Sequence, residues 1–402
     1  MDEPLIGLWE VEETMKYVMD SKYGVELTSE QFAKASGLFD DLNHHLSIKG
    51  VFSGDVAGRV FLSNDEKTAF MVNKEGFFVG GCPENIPFLE EINKVLAKEM
   101  MPELAANEAL DYVLFYPNNG AWETALQHLM KDLLPIRSGR MTFSYDLQDV
   151  KPSLDTDIVP VDLELLNQQH IIGMDDIIEE IEGNWPSLEA FGEKGFGCAA
   201  IQNTEEGPAV VSWCLTDWVV GNECELGIET DEDYRKQGWA RKTASGALTL
   251  AKQRGMTRAG WQCWYDNIGS QKTALAVGFK LLADFPVLFG WNHPDNNLLI
   301  NGNVYMVGHE KYGLNKDYAH AARCYAEALD KGWDWGGDPA LYWNAACMFY
   351  LTGETERAVH YYQKAIEKGW LNRDQSDDPF YVYREEDSGE IGRVLGGYVG
   401  VK

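Results

Sequence analysis

The sequence predicts an α/β fold, a mixed central sheet flanked by helices, joined to a small all-α domain of helical repeats. Three observations carry this. Residues 223–279 alternate strand and helix: ECELGIET, a turn RKQGWA, the helix RKTASGALTLAKQRG, RAGWQCWYD, and the helix NIGSQKTALAVGF. An earlier stretch, residues 58–146, follows a similar order of elements. Residues 319–333 and 356–370 match each other at a spacing of 37, sharing Ala-x-x-x-Tyr-x-x-Ala and a terminal Lys-Gly-Trp.

Composition bounds the rest. A chain of 402 residues exceeds one ordinary domain, and 45% hydrophobic residues with 12% aromatic suffice for several buried cores. With 34 Lys plus Arg against 64 Asp plus Glu, the net charge is 34 − 64 = −30. That balance argues against nucleic acid, whose binding relies on basic side chains, and suits cationic substrates as well as plain solubility. Seven dispersed cysteines without CxxC spacing read as reduced thiols. The acidic start MDEPLIGLWEVEE does not resemble a signal peptide, and no apolar run reaches about 18 residues. A cytoplasmic chain with no membrane contact is expected.

In order, residues 1 to about 50 read as helical, around Met15, Val18 and Met19. GRVFLSN, TAFMVN and GFFVGG read as a meander, then IPFLEEINKVLAKEM as helix, DYVLFYP as strand, AWETALQHLMKDLL as helix and RMTFSYDL as a closing strand. VKPSLDTD marks a boundary. Beyond it come a strand in DIVPVD, two helical pieces in LELLNQQHIIGMDDIIEEIEG, turns in NWPSLEAFGEKG, strands FGCAAIQ and AVVSWCLTDWVV, and, after residue 279, KLLADFPVLFGW to close the sheet. LNRDQSDDPFYVYREED reads as an extended cap near the C-terminus.

The turn Arg235-Lys236-Gln237-Gly238-Trp239-Ala240 fits [RQ]-x-x-G-x-[GA] at the mouth of a helix. Backbone N–H groups and the positive helix end suit a diphosphate there, with Gly238 and Ala240 small where phosphate must approach the backbone. Arg235, Lys236 and Arg241 add charge in an acidic chain. The stretch resembles the acetyl-CoA segment of the GNAT N-acetyltransferase superfamily, an α+β fold. Asn267, Ser270, Ala274 and Gly278-Phe279 match its next signature, and the wording is most similar to the branch containing the zwittermicin-resistance acetyltransferase.

The resemblance implies acetyl-CoA as co-substrate, its pyrophosphate on residues 235–241, its pantetheine arm on the backbone of Ile228, Glu229 and Thr230, Asn267 and Ser270 as further cofactor-binding residues, and no metal. Its acceptor would be a small-molecule amine, an antibiotic or a similar metabolite, acetylated by direct attack in a ternary complex. An alkylammonium, with a pKa of about 10, must first lose a proton. Period-2 alternation puts Glu223, Glu225 and Glu229 on one face, unless a bulge changes the phase. Glu225 is the first candidate base and Glu223 the second; both also read as solvated carboxylates. Ala274 stands where many of these enzymes carry a tyrosine acid; either the thiolate leaves unassisted or another group protonates it, with Tyr265 and Tyr234 as candidates that read first as packing residues. Trp185, Trp213, Trp218, Trp261, Trp264 and Trp291 could line a cationic pocket or fill the core.

Tyr116–Leu126 aligns with Tyr265–Leu275 with six of eleven positions identical. Residues 1–150 are therefore expected to form a degenerate copy without the basic glycine turn, residues 151–295 the catalytic unit, and residues 300–402 the helical repeats. The repeats, with Tyr342, Ala345, Ala346, Phe349 and Gly353 between the copies, resemble tetratricopeptide hairpins, which usually need about three units to bury a core. They would pack on the catalytic unit or bind a protein partner. A CoA-binding interaction protein and an acetyltransferase of protein amines are the alternatives.

Overall fold

A computed structural model describes residues 17–106, 111–149, 155–168, 170–308, 314–370 and 382–400. It divides into two compact units, residues 1–129 with 138–287, and residues 130–137 with 288–402.

The first unit is built on a twelve-stranded sheet. Its strands are β1 (Gly24–Glu26), β2 (Gly58–Ser63), β3 (Thr68–Asn73), β4 (Gly76–Gly81), β5 (Asp111–Phe115), β6 (Ile136–Asp146), β7 (Ile158–Pro160), β8 (Gly197–Asn203), β9 (Pro208–Val220), β10 (Glu223–Thr230), β11 (Arg258–Trp264) and β12 (Lys280–Trp291). Between β1 and β2 lie two 3-10 segments and the helix α1 (Leu46–Ser53). The helices α2 (Ile86–Val95) and α3 (Met101–Ala106) join β4 to β5, and α4 (Trp122–Leu129) joins β5 to β6. In the second half α5 (Leu163–Leu166), α6 (Met174–Asn184) and α7 (Leu188–Lys194) join β7 to β8. There α8 (Trp239–Gln253) joins β10 to β11, and α9 (Ile268–Val277) joins β11 to β12.

The strand order is β1-β2-β3-β4-β5-β12-β6-β11-β10-β9-β8-β7. Adding six to each number of the first half and reading backwards returns the same order, so the sheet repeats itself about a pseudo-twofold axis. The last strand of each half is exchanged: β6 pairs with β11, and β12 lies beside β5. KLLADFPVLFGW thus enters the middle of the sheet, between β5 and β6, instead of closing its own half.

Two expectations change. The helix expected over residues 1–50 lies partly outside the described residues. Over residues 17–45 it is replaced by β1 and short 3-10 turns, with α-helix only from Leu46. Thr28 stops the chain in extended backbone and Gln31 closes a capping box on it, which starts a 3-10 turn. NWPSLEAFGEKG was expected to be turns; it contains α7, which Ser187 caps by accepting from the Ala190 amide at 3.2 Å. Most of the expected C-terminal cap, residues 371–381, lies outside the described residues.

Aromatic rings step across the first half, Phe61 to Phe70 to Phe77 to Tyr112, at 6.1, 5.7 and 5.9 Å between centroids. Such cross-strand pairs stabilise a sheet by packing. In the second half Cys224, Leu226, Ala259 and Trp261 point to the side where α8 and α9 pack through Ala244, Ala247, Ala251 and Ala274. Alanines at helical spacing let these helices sit close on the sheet. The opposite face of β10 and β11 is left for polar chemistry.

The second unit holds α10 (Pro294–Val307), α11 (Tyr318–Asp330), α12 (Pro339–Leu351), α13 (Thr355–Glu367) and α14 (Ser388–Val399). The matching sequences fall on α11 and α13. Ala321, Ala328, Ala358 and Ala365 are fully buried, with Tyr325 and Tyr362 beside them. Gly332 and Gly369 take left-handed backbone after each helix, with φ of 80° and 97°, which favours glycine. Inside, Tyr325 donates to Asn303 Oδ1 at 2.5 Å, and Asn344 accepts the Tyr383 amide at 2.9 Å. Among the described residues no helix is long and apolar enough to cross a membrane.

Candidate active site

Strands β10 and β11 run parallel through three pairs, Glu223–Arg258, Cys224–Ala259 and Glu225–Gly260. Beyond Gly260 they part: β10 stays bonded to β9 as far as Thr230, and β11 to β6 as far as Trp264. One edge of Leu226–Thr230 therefore faces a gap with backbone groups open to a strand-like partner.

The chain after β10 turns through a 3-10 segment into α8. Arg235 Nε donates to the Thr230 carbonyl at 3.1 Å and its Nη1 to Glu232 at 2.8 Å; Gln237 Nε2 donates to the Asp233 carbonyl at 3.1 Å. Lys236 and Gly238 both have positive φ, 63° and 92°, which bends the backbone so that Gly238 caps α8. Space around Gly238 is open: a Cβ there would meet nothing within 4 Å. Lys242 closes the first helical turn onto the Gly238 carbonyl at 3.2 Å, so the amides before it are those a helix leaves without an internal acceptor. Lys236 and Arg241 are exposed and make no ion pair among the described residues. Lys242, by contrast, is held by Asp157 at 2.6 Å. Donor set, free cations and open backbone fit a diphosphate.

Alternation along β10 is kept, and Glu223 and Glu225 share a face. The bulge falls instead in β9, where Asp217 is the extra residue between the pairs Glu225–Trp218 and Leu226–Thr216. The two glutamates differ in company. Glu223 is ion-paired to Arg258 and, at 3.3 Å, to Lys49. Glu225 is 4% exposed, and among the described residues its Oε1 has no hydrogen-bond partner. Its carboxylate lies over Gly260, where a Cβ would collide with it. Burial, then the charge of Glu75, holds the Glu225 carboxyl well above the usual range, against Arg258, Arg140 and the Gln262 amide. Once ionised, a carboxylate so placed is a strong proton acceptor.

Six neighbours escaped sequence reasoning. Glu75, between β3 and β4, accepts from His45 Nδ1 at 2.6 Å, from Gln262 Nε2 at 2.8 Å and from Ser47. Burial would raise its carboxyl, but the His45 charge and these hydrogen bonds outweigh it and bring it to about 2. His44, beside His45 at 4.4 Å between ring centroids, is pushed down to about 3 by burial and by the His45 charge, and so is neutral. Asp217 Oδ1 is buried without a partner among the described residues, and its carboxyl is raised by burial, Glu180, Glu225 and Glu75. The adjacent His44-His45 was the available signal; Glu75, in Asn73-Lys74-Glu75-Gly76, reads as an ordinary turn residue.

The remaining candidates have structural occupations. Asn267 caps α9 by accepting the Ser270 amide at 2.9 Å, and Ser270 Oγ accepts from Trp261 Nε1 at 2.9 Å. Ala274 is fully buried behind the sheet. Tyr234 packs on the cluster of Ile158 and Cys198, and burial with Asp266 raises the Tyr265 hydroxyl. Trp185 donates to the Thr216 carbonyl at 2.8 Å, and Trp213, Trp218 and Trp261 are buried. Trp264 lies under Arg140 at 4.7 Å. Among the described residues no group of three or more His, Cys, Asp or Glu stands ready to hold a metal ion.

Residues 36–288 match the model of the GNAT acetyltransferase family. The chain belongs to that family and is a GNAT-type N-acetyltransferase. It is 25% identical over 270 residues to "Uncharacterized N-acetyltransferase YdfB" of Bacillus subtilis, covering 66% of this chain and 97% of that one. It is similar to a GCN5-related N-acetyltransferase-like protein from Streptococcus suis, at 18% identity and TM-score 0.45, with 65% of this chain and 98% of that one covered. For a GCN5-related N-acetyltransferase from Sphaerobacter thermophilus the figures are 10% identity, TM-score 0.44, and 69% and 98% covered. Enzymes of this family use acetyl-CoA and act on amines.

Proposed function

We propose that the protein transfers the acetyl group of acetyl-CoA to a primary amine of a small molecule, by direct attack in a ternary complex. The observation that carries this is the parting of β10 and β11 immediately after Glu225, next to a helix whose first-turn amides are open. Bound acetyl-CoA would supply an activated acyl carbon as its thioester. Arg235, Lys236, Gln237, Gly238, Trp239, Ala240 and Arg241 would hold its pyrophosphate, and the free backbone edge of Ile228, Glu229 and Thr230 its pantetheine arm. Asn267 and Ser270 fix the start of α9 beside them.

Glu225 is the base and Glu223 the second choice, because two cations already neutralise Glu223. A C–N bond forms and the C–S bond breaks. Of the two protons the ammonium gives up, Glu225 passes one to solvent and the departing thiolate takes the other. With Ala274 in place of a tyrosine, the thiolate leaves on its own modest basicity, pKa about 8.5 for a simple thiol.

The branch of the zwittermicin-resistance acetyltransferase and an amino-bearing antibiotic are the finer reading of family and acceptor. Residues 1–150 serve as a degenerate half, residues 151–295 as the catalytic one, and residues 300–402 as tetratricopeptide-like repeats open to a protein partner, in a cytoplasmic enzyme. The test is release of CoA thiol across diamines, aminoglycosides, aminopolyols and peptides. Amine-dependent release is expected; tight acetyl-CoA binding without release from any amine would overturn the enzymatic reading.

A further inference from the structure

Three residues lining one small cleft on the polar face of β10 and β11 each carry a buried polar atom without a partner among the described residues: Glu225 Oε1, Thr142 Oγ1 and His44 Nε2. Glu225 is 4% and Thr142 1% exposed, so neither is a surface group that water satisfies. A buried polar atom without a hydrogen bond costs stability, and one cleft with three such atoms is built for something that supplies the bonds. Two of them come from the first half of the sheet: His44 precedes α1, and Thr142 lies on β6, opposite Gln262. Leu46 and Leu282 give it apolar walls, and Arg258, whose charge is taken up by Glu223, stands at its edge. Its floor is Gly260, the last residue paired before the strands part.

We propose that this cleft seats the reacting nitrogen of the acceptor, a primary amine on an unbranched methylene, and that the first half contributes His44 and Thr142 as acceptor-contacting residues beside Glu225. This rests on the acetyltransferase reading above. The nitrogen's hydrogens meet the carboxylate, the threonine hydroxyl and the imidazole, and its methylene meets the apolar walls. A neutral His44 receives a cation without repelling it. Behind it, the Glu75–His45 pair fixes the ring that leans on His44 at a tilt of 43°.

The test exploits the missing partners. His44→Phe and Thr142→Val keep the shape of each side chain and remove only the orphaned polar atom. Wild-type and variant proteins are compared in thiol release with n-butylamine, putrescine and ethanolamine, with sec-butylamine as the branched control. Acetyl-CoA affinity and melting temperature are measured alongside. The expected result is a roughly five- to tenfold rise in the KM of the amine in each variant, the size of one lost hydrogen bond. Acetyl-CoA affinity should stay within about twofold, the melting temperature should be equal or higher, and sec-butylamine should be the poorest acceptor. If the wild type releases thiol with other amines but with none of these three, or if KM is unchanged in the variants, the seat is elsewhere and only this inference falls. If the melting temperature drops in step with activity, the two side chains are structural and the inference falls likewise. Absence of release with every amine sinks the enzymatic reading and this inference with it.

Discussion

The two halves of the sheet share a strand order and differ at one corner. After β10 the chain passes through the left-handed residues Lys236 and Gly238 into α8, with amides and cations facing open space. After β4 it passes through Cys82-Pro83-Glu84 into α2, whose first turn is closed by Asn85 accepting the Phe88 amide at 3.3 Å. Here too the backbone of Leu38 presses so closely on Gly80 that no Cβ would fit. One corner is open to a ligand and the other is filled by the protein itself. On the function proposed above, a repeated fold has divided its labour: one copy holds the phosphates, and the other turns His44 and Thr142 toward Glu225.

The sharpest way to break this comparison is Glu225→Gln. Loss of a general base should lower kcat/KM by about 10²–10⁴-fold, whereas Glu223→Gln should cost far less if the division of roles holds. The same substitution has a stability signature. The folded value of Glu225 lies above its ordinary 4.5, so its protonated form contributes stability at low pH that is lost as pH rises through the raised value. Glu225→Gln should therefore raise the melting temperature, and more at pH 9 than at pH 5.

Next in size is Gly238→Val. A branched side chain at φ of 92° is strained by about 1–3 kcal/mol, which should weaken acetyl-CoA binding roughly ten- to hundredfold in calorimetry. A smaller effect tests how the halves communicate. The charge of Glu75 raises Glu225, so Glu75→Gln should lower the Glu225 value and move the acid limb of the kcat/KM profile to lower pH. An unmoved limb would mean that the halves are electrostatically separate. Smallest is Asn85→Ala, expected to cost about 1 kcal/mol in denaturant unfolding through the lost cap and to leave acetyl-CoA affinity unchanged. A change in that affinity would show that the filled corner also binds ligand.

The sequence was most legible where local backbone needs dictate residue type. Gly238 must be glycine to adopt its conformation with ease, and it marks the turn; β3 and β4 show as short β-rich runs between turns. The exchange of β6 and β12 was illegible, because pairing partners more than a hundred residues apart leave no local pattern. α7 was misread because Pro186 and Gly192 outweighed the Ser187 cap. Thr142 was invisible for another reason: in RMTFSYDL a threonine is simply a good strand residue, and only the folded sheet shows its hydroxyl without a partner.

The exchanged strands also bear on how the chain can be divided. Since β6 belongs to the first half by sequence and pairs with β11 of the second, neither half is a self-contained product of translation. Cutting the chain between β6 and β7 would yield two fragments, each carrying the strand that the other lacks. They should complement one another only when expressed together, like the two parts of a split reporter. Their closing contacts join residues far apart in sequence, so the intact protein should assemble its centre late and slowly.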